Sequence, residues 1–115
     1  MDHLECIGKL VMVMLTFRND NGEIVGYTQT HGRIKRANDQ DGIVIYNEED
    51  KREFSLPPKY SALQPARPGE YRESNSGYTV IDPDFITLWE IINHSQEKGG
   101  GSEWKDIGPV QYPQS

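Results

Sequence analysis

His31, Arg33 and Lys35 stand two residues apart, with Gln29 before them in the same rhythm. Side chains of an extended strand alternate between its faces, so this spacing sets all four on one side. Two cations and an imidazole in a row could meet a phosphate or an acidic peptide through charge-assisted hydrogen bonds. The plainer outcome is a solvated sheet face balanced by acidic loops nearby, and that is the expectation. Other candidates carry less. Cys6 and His31 have the residue types of a nucleophile and its base, but nothing brings them together and no third group is marked to orient the base. His3, His31 and His94 are not at metal-ligand spacing, so no metal or cofactor is expected. Asp82 and Asp84 flank Pro83, which reads as a turn more than as a carboxylate pair. Gly99-Gly100-Gly101 lacks the strand, helix and lysine that frame a phosphate loop, and reads as a linker.

Aromatic side chains offer a second kind of site. Tyr27, Tyr46, Tyr60, Tyr71, Tyr78 and Trp89 are many for a small domain, and some must fill its core. Any left exposed beside the proline-rich stretch 57–69, Tyr60 first among them, would suit a groove that reads extended peptides. Trp104, Ile107, Val110 and Tyr112 could act as a short docking motif or as a strand added to an open sheet edge. Their plainer reading is an untethered terminus.

The elements that must position these residues are strands. Leu10 to Phe17 is apolar in both alternating registers, which predicts a central strand covered on both faces. A long strand follows over about 23–37, with Gly32 the expected bend or bulge that lets one strand serve two halves of a small barrel. Asp41-Gly42 predicts a hairpin into Ile43-Val44-Ile45-Tyr46, because glycine enters left-handed backbone at no steric cost. Residues 53–56 make a fourth strand, and Pro57-Pro58 stops the sheet. Tyr60 and Leu63 anchor the loop that follows. A second hairpin is expected over 70–72 and 78–81, then a last strand over 85–91 with Phe85, Trp89 and Ile91 inward. From Asn93 the composition turns to glycine and proline, which predicts a flexible tail.

Length and charge bound the rest. The chain has 115 residues, enough for one modest core. Lys and Arg total 12 against 18 for Asp and Glu, a net charge of −6. That balance argues against nucleic acid and suits a basic partner. Cys6 is the only cysteine, so no intrachain disulfide can form, which points to a reducing compartment. The apolar run ending at Phe17 is too short to span a bilayer and lacks the flanks of a signal peptide, so a cytoplasmic protein without membrane contact is expected.

Gly8, Lys9, Val11, Val13 and Leu15, then Gly32, Ile34, Asp39 and Ile43-Val44-Ile45, resemble the first motif of Sm-like barrels over roughly a third of the chain. The resemblance implies a small barrel. Asp41-Gly42 stands where an asparagine would hold a base, and the Arg-Gly signature of the second motif is missing, so RNA binding is not implied. LPPKYSALQPARPGEYRE and DPDF are also similar to small bacterial proteins of unassigned function, which implies no activity.

The sequence therefore predicts an all-β, small antiparallel barrel of Sm-like or Src-homology type over 5–92, with an extra C-terminal hairpin and a flexible tail over 93–115. Its expected role is a non-catalytic protein-interaction module, with Gln29, His31, Arg33, Lys35 and Tyr60 as ligand-binding candidates and Trp104 and Tyr112 as docking candidates. The partner is expected to be a protein or peptide, with self-association through a sheet edge or the tail as a further route. An acidic inhibitor or immunity-type protein, and a small hydrolase or transferase using His31, are the alternatives.

Overall fold

The computed structural model describes residues 4–95, 97 and 99–110. The strands are β1 (Leu10–Arg18), β2 (Ile24–Asn38), β3 (Gly42–Asn47), β4 (Arg52–Leu56), β5 (Gln64–Pro65), β6 (Glu70–Arg72), β7 (Thr79–Ile81), β8 (Phe85–Asn93) and β9 (Ser102–Asp106), with one 3-10 turn at Tyr60–Ala62. Seven of them form a curled, half-barrel sheet in the order β4-β3-β2-β1-β8-β5, with β9 added to β8; β6 and β7 pair as a separate hairpin. The expected small all-β, barrel-like fold is what the chain adopts.

β1 lies near the middle because it is apolar in both registers. Val11 and Val13 enter one core with Cys6, Ile34, Ile43, Ile45, Leu56 and Trp89. Met12 enters a second, smaller core with Val80 and Ile86 on the opposite face. The β6–β7 hairpin supplies Val80 and so covers that second face.

β2 serves both halves of the sheet. It pairs with β1 over 24–33 and with β3 over 33–38. Gly32 stands at the handover, in register opposite Val11. A Cβ there would lie 2.6 Å from Ile45 Cγ2 and closer still to the Tyr46 carbonyl, so glycine is required by the close approach of β3. The bulge expected at Gly32 falls at Lys35 instead, between Ile34 and Arg36, where the β3 register shifts. Gly42 does adopt the left-handed conformation foreseen for the Asp-Gly turn, with φ 79.

Two features differ from the sequence reading. β8 runs parallel to β1, Val11 opposite Phe85 through Arg18 opposite Ile92, so the sheet is mixed. Asp84 sets that direction: its N–H donates to the Leu10 carbonyl at 2.8 Å, and its carboxylate accepts the Leu10 N–H at 2.9 Å. Part of the expected tail is a strand, because β9 pairs antiparallel with β8 and sets Trp104 edge-on to Trp89, ring centroids 5.9 Å apart. The apolar Trp104 finds a partly covered place there that composition alone does not reveal. Tyr112 lies outside the described residues, as does His3. No helix among the described residues is long and apolar enough to cross a membrane.

Candidate functional site

The site grows from the face of β2 that points to the second core. Met12 pairs with His31 and Met14 with Gln29, so these polar side chains share a face with apolar neighbours and need a cover of their own. Two loops provide it. The β6–β7 loop, residues 73–78, lies on Gln29 and His31, and the β3–β4 turn, residues 47–51, closes the other side.

His31 is 5% exposed and bridges the two loops. Its Nδ1 meets Glu73 Oε1, and its Nε2 lies 2.7 Å from Glu49 Oε2. Glu73, at 3% exposure, is a carboxylate taken almost wholly out of water. Such a group is stable only when paired and hydrogen-bonded, and here it has the imidazole and the Ser76 hydroxyl at 3.3 Å. Tyr78 stacks on the imidazole, ring centroids 4.5 Å apart and planes 6° from parallel. Desolvation pushes the Glu49 carboxyl up, but hydrogen bonds from Tyr78, its own backbone amide and His31 outweigh it and hold the group below its ordinary value. The same bond to Glu49 raises the Tyr78 phenol, with desolvation adding to it.

Local turn chemistry holds the two loops in shape. Asn47 Oδ1 accepts the N–H groups of Glu49 at 2.9 Å and Asp50 at 3.1 Å, an Asx turn. Gln29 Oε1 accepts the Ser74 N–H at 2.6 Å, and Asn75 Oδ1 accepts the Gln29 N–H at 3.0 Å.

Two clefts flank this bridge, of about 220 Å³ and 170 Å³, and His31, Glu49 and Tyr78 line both. The smaller opens onto an unfinished edge. β3 pairs with β2 only from Arg33 onward, so β2 has no strand on that side over 24–32. The Ile34 N–H donates to Lys9 O at 3.0 Å and the Gly8 N–H to Ile34 O at 2.7 Å. Even-numbered residues from Gly26 to Ile34 therefore bond on the β1 side, and the main-chain groups of Tyr27, Gln29 and His31 point to the open side. Along it Val25 is 61% and Tyr27 69% exposed.

The structure keeps Gln29, His31 and Arg33 on one face, with Arg33 beside His31 in the larger cleft, and leaves Lys35, Tyr60 and Trp104 apart. Arg33 Nη1 donates to the Gly8 carbonyl at 3.0 Å. Lys35, displaced by the bulge, lies 3.4 Å from Glu53 and 5.0 Å from the centre of the Tyr46 ring. Tyr60 packs on the first core, as does Trp104. Cys6 is buried in that same core, on the face of the sheet opposite His31, so the two form no nucleophile–base pair. Asp82 accepts the Gly69 N–H at 2.7 Å and Asp84 holds Leu10, which makes both of them turn residues. Among the described residues no group of three or more His, Cys, Asp or Glu is placed to hold a metal ion. Glu73 and Glu49 were missed because each sits in a turn-rich segment, and their meeting at His31 depends on contacts 42 and 18 residues apart.

Comparison of the chain with protein-family models, with curated proteins and with solved structures finds no match in any of the three.

Proposed function

We propose that this protein is a non-catalytic interaction module that takes an extended, basic segment of a partner protein as an added strand on the open edge of β2. The observation that carries the reading is that edge. Natural sheets protect their edges with lysine, proline, a bulge or a covering loop, because unpaired N–H and C=O groups template another strand. Over 24–28 the one such device is the register shift at Val25, at the outer end of the edge. Residues Ile24 to Thr28 hold no charge and no proline, and Ile24, Val25 and Tyr27 are exposed. Main-chain hydrogen bonds would supply affinity, and the exposed Val25 and Tyr27 side chains would supply apolar contact. Glu49 and Asp50 line the cleft at the upper end of the edge and, with a net charge of −6, favour lysine or arginine on the incoming strand. The same charge disfavours nucleic acid. His31 supports a role without catalysis, since both ring nitrogens are already engaged by carboxylates. The lone, buried Cys6 fits a cytoplasmic setting.

A capped octapeptide alternating lysine and valine is the direct probe, with a glutamate–valine peptide as control. The basic peptide is expected to shift the backbone amide signals of Val25, Tyr27 and Gln29, and the acidic one to leave them in place. Tyr27→Pro removes an outward N–H without touching a bond to β1, and is expected to abolish the shifts. Pairing of two copies along the same edge would appear instead as concentration-dependent shifts with no peptide added. Shifts that fall elsewhere, or equally strong binding of the acidic peptide, would overturn the reading.

A further inference from the structure

The covered part of the β2 edge has a lock of its own. Over 24–28 the edge is bare, but at Gln29 the outward N–H is taken by Asn75 Oδ1, a side chain standing where the carbonyl of an incoming strand would stand. Ser74 adds two bonds to Gln29 Oε1, from its N–H at 2.6 Å and its hydroxyl at 3.1 Å. Loop 73–78 therefore occupies the next positions of the edge that the proposed function uses, and the inference rests on that reading.

Three ionisable side chains meet beneath this loop. His31 meets acceptors at both ring nitrogens, Glu73 from the loop and Glu49 from the β3–β4 turn. A neutral imidazole donates one hydrogen bond and an imidazolium two, so only the doubly protonated ring donates to both carboxylates at once. The other titratable groups lining the clefts around it are Arg33 on its own strand, Tyr46 on β3, Glu48 and Asp50 in the turn, and Tyr78 in the hairpin. β1 presents only Met12 opposite it.

We infer that His31, Glu73 and Glu49 form a charge-dependent clasp whose release lifts loop 73–78 and extends the docking edge from Ile24–Thr28 to Ile24–His31. As pH rises, the ring loses one proton and one of its two bonds. As pH falls, protonation of either carboxylate turns an anionic acceptor into a neutral acid facing a cation. The clasp is closed between those limits and open beyond them. Glu49, held below its ordinary value, keeps its side closed further into acid. A longer edge adds the main-chain groups of Gln29 and His31 to those a partner strand can pair with.

The test is amide hydrogen exchange of Gln29 and of residues 73–78 across pH, corrected for intrinsic rates and referred to the amide of Val13 in β1. Protection is expected to peak in a middle window and to fall at least about tenfold on either side, while Val13 stays protected. Within the window the ¹⁵N shifts of His31 should report both nitrogens protonated. Glu73→Gln keeps the shape and removes the charge, and should flatten the acid limb; Asn75→Ala should strengthen binding of the lysine–valine peptide severalfold by freeing the Gln29 N–H. Flat protection across pH, or a neutral ring in the window, overturns the clasp and leaves the edge to be judged by the peptide titration. Weaker peptide binding by Asn75→Ala overturns the competition between loop and strand. A bell-shaped profile with no peptide binding at any pH overturns the edge reading and leaves the clasp standing.

Discussion

His31 and His94 are built alike and placed differently. Each ring has a carboxylate at both nitrogens: Glu73 and Glu49 for His31, Asp20 at 3.1 Å and Glu103 at 3.3 Å for His94. His94 joins the β1–β2 turn to β9, as His31 joins the β3–β4 turn to the β6–β7 loop. The His94 side chain is 33% exposed and Glu103 52%, whereas His31 and Glu73 are nearly dry. Water can replace any partner His94 loses. Around His31 and Glu73 its access is far smaller, so an imidazole between two carboxylates is a buried contact at one end of the molecule and a weak surface contact at the other.

The sharpest break of this comparison is Glu73→Ala, which leaves a buried imidazole without one partner and should cost about 3–5 kcal/mol in urea unfolding. A loss no greater than that of Glu103→Ala would mean that burial does not set the difference. Ending the chain after Ser95 comes next. It removes Glu103 together with Trp104 and the whole of β9, and should cost about 2–3 kcal/mol, or roughly 10 °C in Tm. The excess over Glu103→Ala alone measures what the rest of the segment contributes: Trp104 packing, the β8–β9 ladder, the Lys59–Asp106 pair and the Gln64 bonds. An unchanged Tm would mean that β9 contributes nothing in dilute solution.

Gly32→Val tests the backbone under His31. A side chain there meets the Tyr46 carbonyl and Ile45, and the overpacking should cost about 1–3 kcal/mol by thermal unfolding. Acid comes after it. The folded Glu49 carboxyl lies below its ordinary 4.5, so the stability it contributes is fully present above that value and is lost as pH falls through the lower, folded one. Glu49→Gln should flatten that acid limb by about 1 kcal/mol or less, since the side chain is partly in water. Smallest of all is Glu103→Ala, about 0–1 kcal/mol and reduced further by salt.

The sequence made the first four strands legible because their patterns are local. Leu10 to Phe17, apolar in both registers, becomes the strand buried on both faces, and Asp41-Gly42 makes the turn that its glycine dictates. Gly32 was the right residue for a different reason: periodicity marks a glycine within a strand, but only the fold shows that a neighbouring carbonyl stands where its Cβ would be. Lys35 was misplaced because a bulge breaks the alternation that would have kept it beside Arg33. At the site, Gln29 and His31 were legible as a polar pair on one face. Their partners were not, since Glu73 and Glu49 come from loops whose own residues specify only turns. The parallel set of β8 and the pairing of β9 depend likewise on long-range contacts that no local pattern encodes.

The pairing of β8 with β1 also sets an order in time. Leu10 and Asp84, which fix that pairing, are 74 residues apart. At about 5–20 residues per second, a ribosome needs roughly 4–15 s to bring the second after the first. β1 can fold against β2 early in that interval, whereas its other edge stays unpaired until residues 85–92 have been made. During synthesis, then, the most apolar strand of the protein spends several seconds with one side open to whatever is near, which makes the nascent chain, more than the finished fold, the form most in need of a chaperone.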